Sequence, residues 1–245
     1  MAATSVRPYF IVAGADDLIR FLEQTFDAEV VARFPDPGGL VMHAEVRAGD
    51  SHIEIADAGA QWTPVAAPMH AYVDDVDTTY KRALAAGASS LYEPLEQDYG
   101  DREAGVVDQR GIVWFLATYL EEGGPRRPGF GTLNSGFRGI GAKQMLEFLQ
   151  KAFGAVHVAG TMEHAEVRIG ETMMELSEAH GQWGPTLGAF HLFATDCDAV
   201  YDAAVRAGAT SLYEPEDKPY GERSGGMVDP WGNQWFIGTP IQAAT

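Results

Sequence analysis

Apolar residues in this chain alternate between two spacings, one helical and one extended. Leu18, Phe21, Leu22 and Phe26 follow helical spacing behind Asp16-Asp17, a pair able to cap a helix, and Met145, Phe148, Leu149 and Phe153 repeat the pattern. Val76, Tyr80, Ala83 and Leu84 share one face of a further helix ended by Gly87; Cys197, Tyr201, Ala204 and Val205 do so ahead of Gly208. That spacing makes Cys197 a core residue. One short strand precedes each helix (Tyr9 to Val12 and Met69 to Val73 in the first half) and about three follow it. The pattern therefore predicts an α+β chain of four βαβββ units.

One hairpin can be registered from the sequence alone. Gly49-Asp50 and Gly170-Glu171 suit two-residue turns. Such a turn pairs Val46 with Ile53 and Ala44 with Ile55, and in the second copy Val167 with Met174 and Ala165 with Leu176. Apolar residues meet apolar residues in both, so the register is self-consistent. The opposite face then pairs Glu45 with Glu54 and Glu166 with Glu175. Facing carboxylates repel unless a cation, a shared proton, solvent, or the nearby Arg47 and Arg168 relieve them.

The halves are tandem copies. Residues 84–94 recur at 205–215 with eight identities in eleven positions, and the offset of 121 also maps His43 onto His164, His70 onto His191, Trp62 onto Trp183 and Trp114-Phe115 onto Trp235-Phe236. Gly123-Gly124-Pro125-Arg126-Arg127-Pro128-Gly129 suits neither helix nor strand. The expected organisation is a first domain at 6–120, a Gly/Pro-rich linker at 121–132 and a second domain at 133–241, each of two βαβββ units.

Composition narrows the partners. Hydrophobic residues at 46% and charged residues at 21% suit a globular protein, and no apolar run approaches membrane-spanning length. The N-terminus lacks the apolar stretch of a signal peptide, and a single cysteine, Cys197, excludes an intrachain disulfide, so a cytoplasmic location is expected. A net charge of −18 argues against nucleic acid and anionic membranes, and leaves a small cationic molecule open.

Ala152-Phe153-Gly154-Ala155, His-Ala-Glu-Val-Arg-x-Gly at 164–170, Tyr-Gly-Glu-Arg at 220–223 and Val-Asp-Pro-Trp-Gly-Asn-Gln-Trp at 228–235 resemble the vicinal oxygen chelate superfamily. It groups glyoxalase I, bleomycin-resistance proteins, fosfomycin-resistance enzymes and extradiol dioxygenases. The resemblance implies curved mixed sheets enclosing clefts, and a fused duplication can form an internal pseudo-dimer within a monomer. Metal-dependent members take ligands from the first and last strands of their units. Carried over, that gives Glu54, His70, Glu175 and His191 as metal candidates, with Zn, Ni, Mn or Fe as the divalent ion. The opening strands hold no histidine, and Phe115 and Phe236 stand where the family has its final glutamate. The incomplete set argues against a family-type dioxygenase.

Strand alternation puts Tyr72, Phe115, Phe193 and Phe236 on the cleft side with the histidines, and turns Trp114 and Trp235 into the core. His43, Glu45, His164 and Glu166 share the carboxylate-bearing face, and Trp62 and Trp183 are placed to form lids. An aromatic cleft with a few polar groups suits a small, planar or cationic organic ligand. The alternative is a divalent-metal-dependent lyase or isomerase of the glyoxalase I type, with Glu54 and Glu175 as candidate catalytic groups. A non-catalytic regulatory module is a third reading. The sequence leaves open whether the chain is an enzyme.

Overall fold

The computed structural model describes residues 3–59, 62–121 and 123–241. Its elements run β1 (Ala3–Val12), α1 (Ala15–Phe26), β2 (Glu29–Pro35), β3 (Val41–Ala48), β4 (Ser51–Asp57), β5 (Met69–Tyr72), α2 (Val76–Ala85), β6 (Ser89–Glu96), β7 (Asp101–Val107) and β8 (Val113–Tyr119). They continue with β9 (Leu133–Gly139), α3 (Ala142–Phe153), β10 (Val156–Thr161), β11 (His164–Ile169), β12 (Thr172–Glu178), β13 (Ala189–Ala194), α4 (Cys197–Ala207), β14 (Thr210–Lys218), β15 (Glu222–Val228) and β16 (Gln234–Pro240). This is βαβββ four times over. The hydrogen-bonded strand orders are β14-β15-β16-β13-β1-β4-β3-β2 and β10-β11-β12-β9-β5-β8-β7-β6. Two compact units result, Tyr9–Gly136 and Met1–Pro8 with Phe137–Thr245, so β1 and β9 are each divided between them. β1 begins earlier than the apolar run at Tyr9 suggests, because Arg7 and Val6 pair with His191 and Leu192 of β13.

The hairpin register is the one expected. Glu45 faces Glu54, Val46 faces Ile53 and Ala44 faces Ile55; in the second copy Glu166 faces Glu175 and Val167 faces Met174. Of the ways in which the carboxylate pairs could be relieved, the structure turns Arg47 and Arg168 to other partners. Arg47 pairs with Glu29 and Arg168 donates to the Gly170 carbonyl, while His52 Nδ1 lies 2.6 Å from Glu45 Oε1.

Each unit closes on a buried tryptophan. In the Tyr9–Gly136 unit Trp114 packs with Phe10, Phe21 and Phe26 at ring distances of 6.0, 5.7 and 5.3 Å. In the other, Trp235 packs with Phe153 and Phe190 at 4.5 and 4.7 Å. The indole N–H groups are satisfied by Asp108 and Asp229, at 3.2 and 3.1 Å. Those carboxylates also receive the backbone amides of Arg110 and Ile112, and of Trp231 and Asn233, so each aspartate ties the turn before the last strand to the core. Arg102 and Arg223 bridge to Asp77 and Asp198 in the first turns of α2 and α4.

Helix starts follow two designs. Asp75 and Asp196 cap α2 and α4 directly, accepting from Thr78 N and Ala199 N. α1 and α3 instead begin after the left-handed glycines Gly14 and Gly141, which carry no capping side chain. Their leading amides are taken by carboxylates at the ends of other strands: Asp57 accepts from Gly14 and Ala15, Glu178 from Gly141 and Ala142. Asp16 and Asp17 therefore lie inside the first turn of α1, where they complement the helix dipole without capping it. Among the described residues no helix is long and apolar enough to cross a membrane.

Candidate functional site

The three adjacent strands β5, β8 and β7 bring the chemistry of the Tyr9–Gly136 unit to one face. β5 pairs in parallel with β8, matching His70 to Phe115 and Tyr72 to Ala117. β7 pairs antiparallel, matching Gly105 to Phe115, Glu103 to Ala117 and Asp101 to Tyr119. Alternation then puts His70, Tyr72, Phe115, Asp101 and Glu103 on one side. Met69, Ala71, Ala104, Val106, Trp114 and Leu116 fill the core on the other. Ala117 is small enough for groups on β5 and β7 to meet across it. His70 Nε2 lies 3.7 Å from Glu103 Oε2, and the Tyr72 hydroxyl donates to Asp101 Oδ2 at 3.3 Å.

All four of these polar side chains are buried, Asp101 completely. Arg127 supplies the positive charge. It comes from the β8–β9 connection, lies 3.3 Å from Asp101 Oδ2, donates to the Tyr99 carbonyl at 2.8 Å and sits over the rings of Tyr99 and Tyr119. Burial pushes the Asp101 carboxyl above the usual range, with Arg127 and then His70 working against it. Tyr92 donates to Glu103 Oε1. Burial first, then the Glu103 charge, raises the Tyr92 phenol well above its ordinary value, so it remains a protonated donor. Gly105 makes room for this: a Cβ there would stand 2.5 Å from the Tyr92 ring.

The second unit carries an altered copy. His191 Nε2 lies 3.3 Å from Glu222 Oε1, and Phe193 stacks on His191 at 4.2 Å with Arg7 over its ring at 4.8 Å. Tyr213 lies over Gly226 as Tyr92 does over Gly105, but its hydroxyl meets Ser224 at 3.2 Å, because serine stands where the first copy has Glu103. Glu222 replaces Asp101. Its longer side chain folds over position 238, where a Cβ would come within 2.4 Å of its carboxyl carbon; that position is Gly238 here and Ala117 in the first copy.

The remaining sequence candidates are spread over the other strands. Glu54 is buried on β4 and faces Tyr9 of β1 as well as Glu45, whereas Glu175 and Glu166 are only half-buried. His43 meets the Tyr9 hydroxyl at 3.5 Å and stacks against Phe34, while His164 is exposed. Trp183 lies under the Arg138 guanidinium at 5.2 Å, and burial lowers the Arg138 pKa against the opposing pull of Glu175. Trp62 and Phe115 are half-buried; Phe236 is buried.

Sequence reasoning missed Asp101, Glu103 and Arg127. The two acids flank the helix-facing Arg102, so alternation alone puts both on the histidine side. Among the described residues, His70, Asp101 and Glu103 offer three ligand atoms that all lie within 4.8 Å of one another. One imidazole nitrogen and two carboxylate oxygens are a donor set that fits a first-row divalent ion.

Four βαβββ repeats with two histidine-bearing faces agree with a profile match. The Glyoxalase/Bleomycin resistance protein/Dioxygenase superfamily matches residues 6–116 and 141–237. The chain belongs to this superfamily. An uncharacterized protein of Mycobacterium bovis is 32% identical over 129 residues, 48% of this chain and 85% of that protein. Glyoxalase I from Zea mays superposes with a TM-score of 0.72 at 16% identity, covering 96% of this chain and 92% of that one. A putative dioxygenase from Bacillus subtilis gives 0.65 at 12% identity, covering 99% and 87%. At such identities the likeness shows the fold alone.

Proposed function

We propose that this superfamily member binds a small organic molecule, planar or cationic, on the aromatic and carboxylate-bearing faces of its repeats. The supporting observation is the buried pair Asp101 and Glu103 set among Tyr72, Tyr92 and Tyr99 beside the half-buried Phe115. Rings supply area for a flat ligand, and acids reward a positive charge brought out of water. A cytoplasmic location fits the lone, buried Cys197.

Calorimetry against a panel of cationic, neutral and anionic aromatic compounds tests the reading. Expected is a clear preference for the cationic or neutral members. Phe115→Ala should weaken binding by about 1–3 kcal/mol, the range for loss of a stacked ring, and His70→Gln by less. Preference for anions, or affinity untouched by Phe115→Ala, would overturn it.

A second reading is a metal-dependent lyase or isomerase of the glyoxalase I type. The contact of His70 with Glu103 supports it, since such a pair can move a proton. Divalent-metal-dependent turnover lost in Glu103→Gln would favour it over simple binding.

A further inference from the structure

We propose that His70, Asp101 and Glu103 form a divalent transition-metal site in the Tyr9–Gly136 unit, and that the second repeat holds no equivalent, so that each chain takes up one ion. This goes beyond the organic-ligand reading and does not rest on it.

The site is built from β5 and β7. It differs from the set that the family resemblance implies, in which the glutamate would come from the last strand, at the position of Phe115. Here two acids, one strand further across the sheet, bring carboxylates to the same histidine. Ligand atoms about 2.0–2.1 Å from a tetrahedral zinc stand about 3.3 Å apart. His70 Nε2 and Glu103 Oε2 are already at 3.7 Å, and the whole set spans no more than 4.8 Å, a separation that side-chain torsions can close.

The surrounding groups act as an outer shell. Tyr92 holds Glu103 through Oε1, so that Oε2 is the oxygen nearest the imidazole. Arg127 and Tyr72 hold the Asp101 carboxylate in place. Ligating carboxylates fixed by hydrogen-bond donors in this way lose less freedom on taking up an ion.

The second repeat keeps His191 and has Glu222, but Ser224 stands in place of Glu103. Two ionisable donors fall short of the three that hold zinc in catalytic sites.

The test uses the full chain, stripped with chelator and titrated with Zn²⁺ by calorimetry and with Co²⁺ by visible absorption, followed by elemental analysis after dialysis. Expected is one ion per chain, with affinity lowered at least tenfold in Glu103→Gln and in His70→Gln and unchanged in His191→Gln. Glutamine at 103 keeps the volume and still accepts from Tyr92; melting curves confirm folding, and Asp101→Asn serves as a second probe of the set. No retained ion, two ions per chain, or one ion indifferent to both Glu103→Gln and Asp101→Asn would each overturn the proposal. Because no organic compound is present, the result stands apart from the ligand screen.

Discussion

Two glycines decide where the site tyrosines can lie. A methyl group at Gly105 would stand 2.5 Å from the Tyr92 ring, and one at Gly226 would stand 2.3 Å from Tyr213. Gly105→Ala and Gly226→Ala should each cost about 1–3 kcal/mol in chemical denaturation, the usual penalty for overpacking. Only Gly105→Ala should also loosen Glu103, and with it metal uptake. Tyr92→Phe removes a hydrogen bond to a charged group and should cost about 1.5–3 kcal/mol. At this scale the site was half legible. Alternation along β5 put Tyr72 with His70, and their rings are 4.6 Å apart. The same rule applies to Asp101 and Glu103, but neither recurs in the second repeat, where Glu222 and Ser224 stand, so the duplication carries no signal for them. Arg127 was not legible at all: it sits in a connection, and its contact with Asp101 depends on how that connection is routed across the sheet.

The helix starts divide by how far their caps travel along the chain. Asp57→Ala removes the acceptor for the Gly14 and Ala15 amides and should cost about 1–2 kcal/mol, as lost caps do. Glu178 offers a pH test of the same device. Bonds from the Ala142 and Gly141 amides hold its pKa below the ordinary value. A depressed carboxyl pKa contributes stability that is present above the ordinary value, about 4.3, and is lost as pH falls through the lowered one. Glu178→Gln should therefore melt below the parent chain at pH 7, and the gap should close in acid. A gap independent of pH would contradict this account. The helices themselves and the β3–β4 and β11–β12 registers were legible because spacing and turn residues are local signals. The caps of α1 and α3 were not, since Asp57 and Glu178 come from strands about 40 residues away in the sequence.

Across the whole molecule the charge of −18 outweighs individual ion pairs. Exposed bridges such as Arg82–Asp27 and Arg126–Asp50 contribute little each and weaken with salt, whereas net self-repulsion opposes the compact state throughout. Raising NaCl from about 10 to 200 mM should raise the melting temperature, because the Debye length shrinks from about 30 to below 10 Å. A fall would mean that the pairs dominate. The crowding of Glu222 over Gly238 bears on how two copies of one repeat can drift apart. Going from aspartate over alanine to glutamate over glycine, one substitution at a time and in either direction, the passable intermediate is aspartate over glycine; glutamate over alanine collides. Asp101→Glu alone should be harmful, and Ala117→Gly beside it should restore much of the loss in a double-mutant cycle. The order of mutations open to a duplicated gene is in this way written into a single contact.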